Sequence, residues 1–262
     1  MKTVAIIQAR MGSTRLPNKV LMPVLGKPLL GWMLNRVSSC KEVDEIIVAT
    51  TTDSGDDAIA QYAQSVGCRL YRGSEEDVLD RYYQAACLVR SDAIVRITAD
   101  CPLLDPKVLG AMIRRFAVGD FDFLSNSEPL PSSWPDGMDV SIISFDALTM
   151  AWQKAVKPSD REHVTFYFWN NPAEFKCSRI DHKPDWSKYR ITIDYPEDFE
   201  LIKTIIEHFC TGAGDLLAIS NVSMEEIVTF LEATPDVFGL NEKYTRGLGW
   251  KPALERDKQL GF

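Results

Sequence analysis

A chain of 262 residues that is 45% hydrophobic can bury a sizeable core, as one large domain or two small ones. Its 37 acidic residues outnumber 29 basic ones, for a formal net charge of −8. That balance excludes non-specific nucleic-acid binding, which needs a broad basic face.

The first predicted element is a buried strand, "TVAIIQA" (3–9), because its apolar run is continuous and partly β-branched. No secretory leader is expected from this start, with one lysine and a short apolar run, and no later segment approaches membrane-spanning length; the expected location is the cytoplasm. Helical spacing follows over 28–40, where Leu29, Leu30, Met33, Leu34 and Val37 share a face. A buried strand over 44–51, a helix over 54–67 capped by Ser54, and a short strand over 68–73 come next. Residues 74–89 read as a helix with Ser74 as its cap, 92–99 as a strand, and 105–117 as a helix capped by Asp105 with Pro106 in its first turn. This alternation predicts βαβ crossovers and a mainly parallel α/β sheet with helices on both faces.

The middle of the chain changes character. Residues 125–137, rich in Pro and Ser and carrying Trp134, read as a loop long enough for a lid or a dimer arm. A strand then leads into a helix near Asp146. One helix is predicted over 159–172, strands over 174–180 and 188–194, and a helix over 195–209. Residues 211–223 read as a linker, followed by a helix from Ser223 and an irregular tail from Val237. The expected organisation is a domain over 1–210 with an inserted flap near 125–145, and a C-terminal extension over 211–262. Trp32, Tyr82, Tyr83, Trp152 and Trp169 read as core or interface. The six cysteines are scattered and the three histidines far apart, so reduced thiols are expected rather than a zinc site.

Within this frame, "QARMGSTRLPNK" (8–19) stands out, with Arg10, Arg15 and Lys19 around a glycine and two hydroxyls at the end of the first strand. Ligands of open α/β sheets bind there. Backbone N–H groups and cations suit a phosphate tail, although the spacing matches neither the P-loop nor the dinucleotide fingerprint. A surface turn with solvated cations is the plain alternative. Asp100 and Asp194 each end a predicted strand. Together with a polyphosphate they could hold Mg2+; otherwise each caps the helix that follows.

Six blocks, "VAIIQARMGSTRLPNKVL", "GSEEDVLDRYYQA", "RITADCPLLDP", "PDGMDV", "DREHVT" and "ITIDYPEDFEL", resemble the spore coat polysaccharide biosynthesis protein F family. That family groups with cytidylyltransferases that make CMP-activated acidic sugars, such as the acylneuraminate and 3-deoxy-manno-octulosonate enzymes. The resemblance runs from residue 3 to about residue 200. It implies the nucleotide-diphospho-sugar transferase fold and Mg2+-dependent transfer of CMP from CTP to a sugar acceptor by a homodimer. By position it assigns Ala9, Arg10, Met11, Gly12, Ser13, Arg15 and Lys19 to the triphosphate loop, and Gly73, Ser74, Asp77 and Val78 to the base and ribose. Asp100 and Asp194 become metal ligands, with Arg15, Lys19 and Asp100 as the catalytic set. Asp136, Asp139, Arg161, Glu162 and His163 fall near the acceptor, with His163 as candidate base and Arg161 as candidate partner of the acceptor's carboxylate. Asn18 departs from the glycine that often precedes the lysine, but asparagine tolerates a left-handed backbone. Two rivals stand beside this reading. A glycosyltransferase of the same fold would use a D-x-D pair, present here as "DFD" (120–122), and a non-catalytic nucleotide-binding protein would not turn over.

Overall fold

The computed structural model describes residues 1–210 and 216–262. Strand β1 (Thr3–Gln8) leads through a small hairpin, β2 (Pro23–Val24) and β3 (Lys27–Pro28), into α1 (Leu29–Ser38). Next come β4 (Glu45–Thr51), α2 (Asp57–Ser65), β5 (Arg69–Gly73), α3 (Val78–Val89), β6 (Ala93–Thr98) and α4 (Pro106–Val118). The second half holds β7 (Phe123–Ser125), β8 (Ser141–Ser144), α5 (Phe145–Lys154), α6 (Pro158–His163), α7 (Phe166–Asn170), β9 (Cys177–Arg179) and α8 (Pro196–Phe209). The chain then forms α9 (Leu216–Asn221), α10 (Met224–Ala233), α11 (Pro235–Phe238) and α12 (Lys251–Gln259).

Seven strands form one sheet in the order β5-β4-β1-β6-β8-β7-β9. Parallel pairing joins β5, β4, β1 and β6, while β8 runs antiparallel to β6 and β7. β1 lies inside the sheet, and Val4 to Ile7 are fully buried because both faces are covered. Ala5, Ile7, Val95 and Ile97 face the core under α1 and α4; Val4, Ile6 and Ile94 face the core under α3 and α5. The same alternation carries Gln8, Arg96 and Thr98 to one face at the carboxyl end of the sheet.

Most caps follow local chemistry. Asp105 accepts the N–H of Lys107, as expected. Two caps move by a few residues. Asp53, not Ser54, opens the turn before α2 by accepting from Gly55, and Asp77, not Ser74, caps α3 by accepting from Asp80. Ser74 Oγ instead accepts the N–H of Asp77.

Larger corrections come from tertiary contacts. The helix expected over 159–172 is two short ones, broken at Val164, whose φ of 59° no helix accommodates. Its side chain is fully buried, so packing holds the turn. The strand expected over 188–194 joins no ladder. It runs as an extended thread: Asp136 donates its N–H to Tyr189 O, Ile191 N–H donates to Asp136 O, and Ile193 N–H donates to Asp100 O at 2.9 Å. The loop after β7 is no projecting arm, because Asn126, Ser127 and Glu128 are buried and the Trp134 indole donates to Ile180 O within the chain. Gly137 in this loop has φ +107°, and a Cβ there would come within 2.4 Å of Ile191 O, so only glycine lets the thread approach. Of the predicted linker, residues 211–215 lie outside the described residues and 216–221 form a helix. The tail is ordered too: Asp257 of α12 accepts the N–H of Ser159 at 3.1 Å.

Candidate active site

A cleft of about 420 Å3 opens at the carboxyl ends of β1 and β6. Past Gln8, the N–H of Met11 donates to Asp56 Oδ1 at 2.7 Å, and the N–H groups of Ser13 and Asn18 both return to Met11 O, closing the cationic segment into a compact loop. Asn18 adopts the left-handed conformation, φ 62°, and starts a 3-10 turn over Lys19–Leu21. That turn sends the Lys19 ammonium back beneath the loop, where it donates to Ile193 O at 2.6 Å, Asp194 Oδ1 at 3.0 Å and Asp100 Oδ2 at 3.2 Å. Arg15 adds a second bond to Asp194 Oδ1 at 2.5 Å and lies over the Tyr195 ring. The two aspartates, 94 residues apart in sequence, thus converge on one cation.

Their electrostatics follow. Burial alone would raise the Asp194 carboxyl, but Lys19 and Arg15 outweigh it and hold that group well below the usual range. Burial would likewise lower Lys19, yet Asp100 and Asp194 hold it above the ordinary lysine value. Asp194 does not cap α8. That task falls to Asp198, fully buried, whose Oδ2 accepts the N–H groups of Asp194 and Tyr195. Arg190 ties the group together, donating to Asp198 at 2.9 Å, to Asp136 Oδ2 at 2.6 Å and to Asp194 Oδ2 at 3.1 Å.

Most residues named from sequence meet here. Ala9, Arg10, Gly12, Ser13, Arg15, Lys19 and Val78 line the cleft. Asp100 and Asp194, both bonded to Lys19, line it as well, as do Asp136, Asp139, Glu162 and His163. The Met11 side chain, Gly73, Ser74, Asp77 and Arg161 do not line it. Arg161 is a correction: its guanidinium is bound to both Asp77 oxygens, at 3.1 and 2.5 Å to Oδ2 and 3.0 Å to Oδ1, and donates to Trp152 O. The pair clamps α6 to the start of α3, so neither side chain is free for a sugar or a base. The "DFD" pair is also spent elsewhere: Asp120 and Asp122 accept from Lys176, at the amine and the backbone respectively.

Several site residues escaped the sequence reading. Arg96 and Arg190 occupy the same place in "RITAD" and "RITID", four residues before each aspartate, and that repeat was a usable signal. Glu128 sat in the loop read as an arm. The tail escaped entirely, yet Thr245 to Trp250 wall the cleft. Arg246 pairs with Asp139, Tyr244 stacks on Tyr195 with centroids 3.7 Å apart, and Trp250 meets Phe166 edge to face.

His163 lines the cleft with Nε2 unpartnered and its ring stacked on Phe166. Burial and then Arg96 push its imidazole down to about 4. The unfolded chain, near 6.5, binds the extra proton between these two values, so His163 costs stability as pH falls from about 6.5 to 4. Relative to H163Q, the wild type should lose on the order of 3 kcal/mol more across that window, measured by urea unfolding at each pH. Equal losses would place His163 in a solvated setting.

A larger groove of about 970 Å3, lined by Lys27, Leu34, Tyr62 and Arg69 among others, lies away from the cationic loop and gathers no carboxylate pair of this kind. The smaller cleft carries the chemistry. Among the described residues no three His, Cys, Asp or Glu side chains form a metal cluster, and no helix is long and apolar enough to cross a membrane.

A largely parallel sheet with a cationic loop after its first strand and two aspartates converging at its carboxyl ends defines the class of CTP-using nucleotidyltransferases. The chain belongs to the cytidylyltransferase family, whose profile matches residues 4–225. It is 38% identical over 244 residues to an uncharacterised protein of Methanocaldococcus jannaschii, covering 92% of this chain and 95% of that one. It is 35% identical to the spore coat polysaccharide biosynthesis protein SpsF of Bacillus subtilis, over 88% and 94% of the two chains. A solved cytidylyltransferase from Leptospira borgpetersenii superposes with a TM-score of 0.83 at 34% identity, covering 94% of this chain and 98% of that one. The tail that walls the cleft lies beyond the matched profile.

Proposed function

We propose that the protein transfers CMP from CTP to an acidic sugar in the cytoplasm, releasing pyrophosphate, in the making of a cell-surface or spore-coat polysaccharide. The observation that carries this reading is the Lys19 ammonium shared by Asp100 and Asp194 beneath the cationic loop. The acceptor hydroxyl attacks the α-phosphorus and pyrophosphate leaves in line, so the chain's task is positioning and charge stabilisation. Arg15 and Lys19 neutralise charge growing on the leaving pyrophosphate, and the loop at Gly12, which lines the cleft, brings the backbone close to the phosphates. Two hard carboxylates converging on one point, with phosphate and water oxygens to complete the shell, fit Mg2+. At Asp100 and Asp194 that ion would supply charge neutralisation and lower the pKa of the attacking hydroxyl. The resemblance also implies a homodimer, which sedimentation analysis tests.

The test is pyrophosphate release from CTP and Mg2+ with a panel of sugar acids. Consumption of a ready-made nucleotide sugar instead would favour the glycosyltransferase. D100N should fold normally and retain under about 1% of the turnover; near-normal release would remove Asp100 from the metal-binding pair.

A further inference from the structure

Among the described residues, eight buried side-chain polar atoms lack any partner, and five belong to residues lining the cleft: Gln8, Arg81, Arg96, Glu128 and His163. Such atoms normally find partners within the fold, so their concentration in one cleft marks where a ligand supplies them. Arg81 is explained locally, since its Nη1 donates to the carbonyls of Ser74 and Glu75. The other four all line the cleft, with Gln8 and Arg96 on the neighbouring strands β1 and β6. Arg96 stands on β6 with Nε unpartnered and forms no ion pair with a carboxylate among the described residues. Glu128 is 7% exposed and its Oε2 is unpartnered. Among the described residues, the other charged side chains lining the cleft, Arg81 aside, are in ion pairs: Lys19 with Asp100 and Asp194, Arg15 with Asp194, Arg190 with Asp136, Arg246 with Asp139, Glu162 with Arg256, Arg10 with Glu75.

Resting on the CMP-transfer reading, we propose that Arg96 and Glu128 form the acceptor seat, and that the acceptor is a sugar acid that also bears a protonated amine, with its carboxylate on Arg96 and its ammonium on Glu128. Two opposite charges held in one pocket and not paired with each other suit a ligand carrying both signs. A guanidinium fork matches a carboxylate bidentately. A sugar hydroxyl could bond Glu128 Oε2 but would leave the buried charge uncompensated, whereas an ammonium neutralises it. Burial raises the Glu128 carboxyl above its ordinary value, and the attraction of Arg96 and a hydrogen bond from Thr165 oppose that rise without cancelling it, so a further cation is accommodated at the free Oε2. Gln8 Oε1 and His163 Nε2 are neutral hydrogen-bonding groups of the kind that seat sugar hydroxyls.

The experiment compares sugar acids in pairs, one member with a free amine where the other has a hydroxyl. Glucosaminate and gluconate form the small pair, and amino- and hydroxyl-bearing 2-keto sugar acids the large ones. Pyrophosphate release from CTP and Mg2+ gives kcat/KM for each. The amine member should lead by about tenfold or more in at least one pair. E128Q should bring that ratio close to unity, and R96A should raise KM for both members while CTP still raises Tm. Should E128Q fail to fold, the wild-type ratio decides alone. Equal or better turnover of the hydroxyl members in every pair overturns the proposal and leaves CMP transfer standing. No release with any sugar acid, while CTP still raises Tm, overturns the transfer reading and this one with it.

Discussion

K19M should lower pyrophosphate release by about 10²- to 10³-fold while leaving the far-UV spectrum unchanged. The ammonium bonds both Asp100 and Asp194, and it also holds the carbonyl of Ile193. Its loss removes a preorganised positive charge from beneath the phosphates and sets two carboxylates side by side without their shared cation. Acid titration gives a second readout. A carboxyl depressed in the folded state contributes stability that is present above about 4 and lost as pH falls toward its own lower value. The wild type should therefore lose this contribution of Asp194 on acidification below about pH 4, and K19M should lose less, because only Arg15 and Arg190 remain to depress that carboxyl. Turnover within a few-fold of wild type would show that Lys19 serves the fold alone.

R190M should be the most destabilising single change here, by about 3–5 kcal/mol, lowering Tm on the order of 10 °C. Arg190 is the cation for Asp198, which is fully buried and has Asn241 as its other side-chain donor. Removing the guanidinium strands that charge, and it frees Asp136, which burial and Asp139 already push upward. Differential scanning calorimetry measures the loss. The double variant R190M/D198N should recover part of it, since the stranded charge is then gone. A single variant within 1 kcal/mol of wild type would show that the network is dispensable for stability. Because Arg190 and Asp194 belong to one thread, a partly unfolded R190M should also bind CTP more weakly.

The loop at 8–19 was legible because its message is local: three cations and a glycine directly after a continuous apolar strand. Asn18 in the left-handed region and Asp105 as a cap follow from the chemistry of one residue and its neighbours. Arg161 was misread for the converse reason. Its sequence neighbours do not include Asp77, 84 residues earlier, which claims the guanidinium. Val164 breaks a helix of sound periodicity because a buried site draws its side chain inward. Residues 188–194 have strand composition but pair with two loops instead of a strand, and that pairing is what brings Asp194 beside Asp100.

From the sequence alone came the alternation of strands and helices, the cationic loop and the two aspartates, all of which rest on periodicity and on contacts within a few residues. Only the tertiary structure decided which charges are spent and which stay open. It brought Arg246 from the tail onto Asp139 and left Arg96 Nε and Glu128 Oε2 without hydrogen-bond partners. Pairing of charges depends on distances in space between residues far apart in the chain, and no local pattern encodes those distances.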